Sequence, residues 1–178
     1  METLAVDLSK RGWATWNIEY RRLGGGGGWP GSGQDVRLAL DYIRKAPEVD
    51  TTAPAVIGHS AGGHLALWAA NRPPTDTVGL TVGLAAITDL PALAASGGPG
   101  SSEAKRLLAS GAPATLEAPP STLLIHGQDD ELVPVSQSTR LADTARLEVF
   151  PSLSHFDLLD PTREHWSTVF ATLENAEN

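Results

Sequence analysis

The sequence predicts an α/β fold: a three-layer α/β/α sandwich around a mostly parallel sheet. Three observations carry this expectation. Short apolar segments alternate along the chain with segments whose apolar residues recur at helical spacing. The strand-like segments are short and mostly apolar, which suits a parallel sheet covered on both faces. No internal repeat or heptad pattern competes with that alternation. With 178 residues, the chain has the size of one domain, taken as 1–178.

Leu4, Ala5 and Leu8 share one face of a first helix, which Gly12 is placed to end. Trp13 to Tyr20 is β-rich and mostly apolar and reads as a strand. Gly24 to Gly33 is a glycine-rich loop. Val36, Ala39, Leu40 and Ile43 give the next helix its stripe, and Pro47 bars its continuation. Ala53 to Ile57 is a short buried strand. Ala61 to Asn71 is a helix closed by Arg72-Pro73-Pro74, and Thr77 to Ile87 contains another strand. Pro91 to Pro120 is rich in Ala, Gly, Pro and Ser, with one helix near Glu103 to Ala109. Ser121 to Ile125 reads as a strand, Ser136 to Ala145 as a helix and Leu147 to Phe150 as a strand. The last helix has Asp160 as cap, Pro161 in its first turn, and Trp166, Val169, Phe170 and Leu173 at i, i+3, i+4 and i+7. In a parallel sheet, functional groups collect at the carboxyl ends of the strands, here just after Tyr20, Ile57, Ile87, Ile125 and Phe150.

Composition narrows the function. Lys and Arg number 13 against 21 Asp and Glu, a formal net charge of −8. This disfavours a phosphate-backbone partner and a polybasic membrane anchor. The absence of cysteine excludes disulfides, thiolate metal sites and a Cys nucleophile. No apolar run approaches the ~20 residues of a membrane span. Met1 to Arg11 carries charges throughout and does not read as a signal peptide, so a cytoplasmic protein is expected.

The chemistry concentrates after Ile57. Gly58-His59-Ser60-Ala61-Gly62-Gly63 is a Gly-x-Ser-x-Gly sequence between a strand and an apolar helix. In that context the serine stands at a strained bend, its hydroxyl raised above the sheet, with Gly58 and Gly62 leaving room for neighbouring backbone. The helix start, with the Ala61 N–H, is aimed at a developing oxyanion. A serine hydroxyl needs a base, and the base an orienting carboxylate. His155 follows one later strand. Asp130 follows another, with Asp129 as the competing carboxylate. Acyl transfer is the expected reaction: His155 takes the Ser60 proton, Ser60 attacks a carbonyl, and water hydrolyses the acyl-enzyme. His59 is expected to pack or hydrogen-bond beside the serine. His126 reads as a structural hydrogen-bonder, His64 as facing the core or its neighbours, and His165 as a solvated helix residue. Asp157 reads as a backbone binder within the histidine loop. Arg21 or Arg22 is expected to pair with carboxylates. A rival nucleotide-binding reading uses Gly26-x-Gly28-x-x-Gly31 with Asp50 about 20 residues on, but Pro30 stiffens that loop and Asp50 precedes its strand.

These motifs resemble the α/β-hydrolase superfamily, in which Ser, Asp and His follow in this chain order. They are most similar to the branch of bacterial feruloyl-esterase-like hydrolases and kynurenine formamidases. Ile18-Glu19-Tyr20-Arg21-Arg22, Gly26-Gly27-Gly28-Trp29-Pro30, Gly58 to Ala66, His126-Gly127 with Asp130 and Val133-Pro134, and His155-Phe156-Asp157-Leu158 carry the resemblance. It implies hydrolysis of an ester or activated amide of a small molecule by Ser60, Asp130 and His155, with neither metal nor organic cofactor. It makes Gly24 to Pro30 a loop beside the active site, with Trp29 lining the acyl or leaving-group pocket; Gly28 and His59 are the other expected substrate contacts. The family's His-Gly-Gly-aromatic oxyanion motif does not precede Glu2. The expectation is therefore an N-terminally truncated fold lacking the family's first three strands, with weak activity or none. Either the flanking strands close up, another chain fills the slot, or the sequence is a fragment. The rival expectation is a truncated fold that serves as a non-catalytic binding module or a partner-completed subunit, its exposed strand edges favouring homo-oligomers or aggregation. The segment 91–120 is read as a shortened cap.

Overall fold

The computed structural model describes residues 1–47, 49, 54–72 and 78–176. Asp50, Ala53, Pro73, Pro74 and Thr77, on which parts of the sequence reading fell, lie outside them.

Among the described residues, four parallel strands run in chain order across the sheet: β1 (Ala55–His59), β2 (Leu80–Leu84), β3 (Thr122–Gly127) and β4 (Arg146–Phe150). Register is fixed by pleat alternation. On β2 and β3, Leu80, Val82, Leu84, Leu123 and Ile125 point to one face. There they meet Leu4 and Leu8 of α1 (Glu2–Lys10) and Trp166, Val169 and Leu173 of α7 (His165–Ala176). Leu124 points to the other face, toward Leu67 of α3 (Ala61–Ala70). α2 (Gly31–Ile43) lies against α3 through Val36, Leu40, Leu65 and Ala69. The three layers expected from the sequence are therefore present.

α1 ends as its glycine predicts. Gly12 takes φ 94° and its N–H donates to Ser9 O at 3.1 Å, while Trp13 N–H donates to Leu8 O at 3.1 Å. This paired closure satisfies the last carbonyls of the helix.

Several expectations are corrected. Residues 13–20 form no strand. No ladder partner lies beside them among the described residues, and a strand exists only as a member of a ladder. Ile18 and Tyr20 instead rest half-buried on the α2–α3 layer, and the Trp16 ring meets the Tyr42 ring at a tilt, 5.3 Å between centroids. This segment does not close up on β1, which pairs with β2 alone among the described residues. The glycine-rich loop ends at Pro30, because Gly31 to Gly33 form the first turn of α2. The helix expected over 136–145 is α6 (Ser136–Thr139) only. Beyond it Leu141 and Ala142 N–H reach back three residues, to Ser138 and Thr139 carbonyls, so tight turns replace the helix. Asp160 caps a turn five residues before α7, accepting from Thr162 N–H at 2.9 Å and Thr162 Oγ1–H at 2.7 Å. The segment 91–120 holds α5 (Ser101–Ala109) as expected and also α4 (Leu90–Ala95). Asp89 caps α4 by accepting from Ala92 N–H at 2.8 Å, with Pro91 in the first turn.

Candidate active site

Ser60 sits at the junction of β1 and α3 with φ 56° and ψ −119°, a conformation an L-residue holds only when its surroundings impose it. Those surroundings are visible. Ser60 N–H donates to Leu84 O at 2.9 Å and His64 N–H to Ser60 O at 3.1 Å. A Cβ on Gly58 would overlap the Gly62 carbonyl, and one on Gly63 would stand 2.7 Å from Ala86 Cβ. The tight pair is thus Gly58 and Gly63. Gly62, expected to supply the space, would bring a Cβ no nearer than 3.7 Å to the Tyr20 hydroxyl. The Ala61 N–H is the first of α3 and by position has no intrahelical acceptor.

β3 leads to the carboxylate. Asp130 Oδ1 accepts from Leu132 N–H at 2.9 Å and Val133 N–H at 2.8 Å. Its Oδ2 accepts from His155 Nδ1–H at 2.6 Å. With the proton on Nδ1, the Nε2 of neutral His155 keeps a lone pair, as a base requires. Asp129 is exposed, and its N–H donates to Leu153 O at 3.1 Å. Burial pushes the Asp130 carboxyl pKa up, but hydrogen bonding from His126, His155 and Val133 prevails and holds it well below the carboxylate range. His126 is fully buried. Its Nε2–H donates to Val133 O at 2.9 Å, 3.5 Å from Asp130 Oδ2, and its Nδ1 accepts from Ser138 Oγ–H at 2.7 Å.

The histidine loop after β4 folds back over the sheet ends. Asp157 closes it by accepting from Ser154 N–H at 2.8 Å and Oγ–H at 2.7 Å, and from Arg163 at 2.9 Å, so it binds backbone as expected. The His155 ring lies 4.4 Å from the His59 ring, and His59 Nε2–H donates to the His155 carbonyl at 2.9 Å. Burial first, then the neighbouring His155, lowers the His59 pKa to about 4. The strand that leads to Ser60 and the loop that carries His155 therefore meet through His59. Among the described residues no hydrogen bond joins the Ser60 hydroxyl to the His155 ring.

The remaining expectations divide. His64 is buried, its Nδ1–H on Ile87 O at 3.0 Å. His165 is fully buried rather than solvated, because α7 turns its first residue onto the 3-10 turn Asp157–Leu159, where Nε2–H donates to Leu158 O at 3.2 Å. Arg21 pairs with Asp35 at 2.8 Å and Arg22 with Glu19 at 2.8 Å. Trp29 packs edge-on against Trp68 at 4.7 Å and joins the apolar cluster of Ile87, Leu90 and Leu93, which also takes in Ala61 and Leu107. Its N–H donates to Ser110 Oγ at 3.3 Å, tying the loop that carries buried Gly28 to the end of α5. The sequence reading missed Gln137. This buried side chain accepts from Thr88 and Asp89 N–H at 2.9 and 2.8 Å and donates to Asp89 O at 2.9 Å, joining the end of β2 to α6. No spacing marks it. α4 carried a usable signal in Asp89 followed by Pro91. Among the described residues no group of three His, Asp or Glu could hold a metal ion, and no helix is long and apolar enough to cross a membrane.

The whole arrangement has relatives among solved structures. The fold superposes on esterase B of Lactobacillus rhamnosis HN001 with TM-score 0.78 at 21% identity, covering 98% of this chain and 68% of that one. It superposes on a truncated carbohydrate esterase from gut microbiota with TM-score 0.74 at 19% identity, over 91% of this chain and 74% of that one. A meta-cleavage product hydrolase from Pseudomonas fluorescens IP01 gives TM-score 0.63 at 18% identity, over 90% and 77%. At such identities the likeness speaks for the fold, which is that of the α/β-hydrolases. No curated protein matches the sequence. The BD-FAE family model matches residues 1–89, half of the chain, and the protein belongs to that α/β-hydrolase-type esterase family.

Proposed function

We propose that the protein hydrolyses a small carboxylic ester or activated amide through an acyl-enzyme on Ser60, with His155 as general base, Asp130 as its orienting carboxylate and the Ala61 N–H as oxyanion donor. The observation that carries this reading is the 2.6 Å His155–Asp130 pair, brought into ring contact with the residue preceding a strained serine. Asp130 fixes the tautomer that leaves Nε2 unprotonated and stabilises the imidazolium formed when Ser60 gives up its proton. Gly28 and Trp29 are the proposed substrate contacts, and α4 with α5 the cap above them. The apolar lining around Trp29 suits an apolar or aromatic group on one side of the scissile bond.

Comparing wild type with Ser60→Ala on a short p-nitrophenyl ester tests the reading. Release that disappears in the variant is expected, and equal rates in the two sink it. An N-formyl aryl amine beside the ester then separates formamidase from esterase preference.

The half-buried β1, laddered on one side only among the described residues, favours a second reading in which the fold is completed by a partner copy. Its test is the mass in solution: a clean monomer removes it.

A further inference from the structure

His155 arrives from β4, which is separated from β1 by two intervening strands, a span of roughly 14 Å at the usual strand spacing. Its loop must be held at both ends of that span. On the near side, Asp129 N–H grips Leu153 O at 3.1 Å and Asp130 grips the ring at 2.6 Å. Asp157 binds the loop only to itself and to Arg163. On the far side, the hydrogen bond that reaches the nucleophile strand is His59 Nε2–H to His155 O, 2.9 Å long and 96 residues apart in sequence. The His59 ring also covers one side of the His155 ring at 4.4 Å.

We infer that His59 is a positioning residue, whose imidazole latches the backbone of the catalytic histidine to the nucleophile strand. The inference rests on the reading of Ser60 and His155 as nucleophile and base. The donor that a substrate contact would use, Nε2–H, is engaged by the loop. A ring beside a base that must become an imidazolium serves best when neutral, and burial together with His155 keeps this one neutral above a pKa of about 4. The bond orients the peptide carrying His155, and Asp130 orients its ring. Together they fix both the place and the direction of Nε2.

Three chains test this: wild type, His59→Leu, which deletes the donor, and His59→Gln, which returns a side-chain N–H at similar reach. The first readout is amide hydrogen exchange of residues 153–157, which needs no activity. The second is the rate at which a fluorophosphonate probe labels Ser60, together with kcat and KM on p-nitrophenyl acetate. His59→Leu is expected to speed exchange in the loop and to slow labelling and kcat roughly 10- to 100-fold, with KM within about twofold. His59→Gln is expected to recover most of both. Labelling of His59→Leu at the wild-type rate, a KM rise with unchanged kcat, or no recovery in His59→Gln overturns the inference. A wild type that the probe leaves unlabelled overturns the Ser60 reading instead, and the exchange comparison then still decides whether the latch exists.

Discussion

Two of the three strands that deliver the candidate site, β1 and β3, are built differently. β3 is buried at every residue and laddered on both sides, and the turn after it fixes Asp130 with two backbone donors, the His155 ring and the His126 ring nearby. β1 is exposed at Ala55 and half-buried at Val56, Ile57 and His59. It is laddered to β2 alone among the described residues, and it places Ser60 through backbone strain, the close approach of backbone at Gly58 and Gly63, the Ser60 N–H bond to Leu84 O, and the bond from His59 to the histidine loop. Asp130, the proposed acid, is held by buried side-chain and backbone contacts. Ser60, the proposed nucleophile, is held by backbone bonds to Leu84 O and Ile87 N–H, and its neighbour His59 by the bond to the His155 loop. Damage at Asp130 should therefore be chemical and severe, and damage at the β1 end, Ser60 itself apart, graded and recoverable.

After Ser60→Ala, the largest expected effect breaks the proposed orienting carboxylate. Asp130→Asn keeps the shape but offers His155 Nδ1 an N–H, which favours the wrong tautomer, and hydrolysis is expected to fall about 10⁴-fold. A loss under about tenfold, measured on the same ester, would remove Asp130 from the mechanism. The next effect contrasts the strands in stability. Leu124 is fully buried on β3, and Leu124→Ala should cost about 2–5 kcal/mol. Val56 is half-buried on β1, and Val56→Ala should cost about 1 kcal/mol. Urea unfolding of both variants decides it, and equal losses would mean that β1 is packed as tightly as the centre of the sheet.

The same contrast explains what the sequence disclosed. β3 and β2 are legible because strands buried on both faces must be apolar runs, and the elbow is legible because its glycines answer to hard steric limits. Asp130 and His155 are legible by their places after strands. Residues 13–20 look like a strand because the residues that suit a pleated surface also suit the flank of a helix layer, and pairing is not written in composition. His165 reads as solvated because a helix start is usually wet; the turn at 157–159 and the Phe150 ring at the end of β4 cover it. The bonds of Gln137 and His59 span 48 to 49 and 96 residues, and no local pattern encodes contacts that tertiary structure alone creates.

The last effect is a slope. In the unfolded chain His59 titrates near 6.5; in the fold, burial and His155 lower it to about 4. Between those values the unfolded state takes up a proton that the folded state refuses, so stability falls as pH drops from about 6.5 to about 4 and the penalty is complete below that. This one group contributes at most ~1.4 kcal/mol per pH unit within that window. His64 and His165, both lowered chiefly by burial, add slopes of the same sign, whereas Asp130 keeps its charge until far more acid conditions. Replacing His59 by Gln removes its share, so the stability of His59→Gln measured by urea unfolding from pH 7 to pH 4 should decline less steeply than that of wild type. Parallel curves would show that the ring beside the nucleophile is solvated enough to titrate normally, and the β1 end would then be looser than its hydrogen bond to His155 implies.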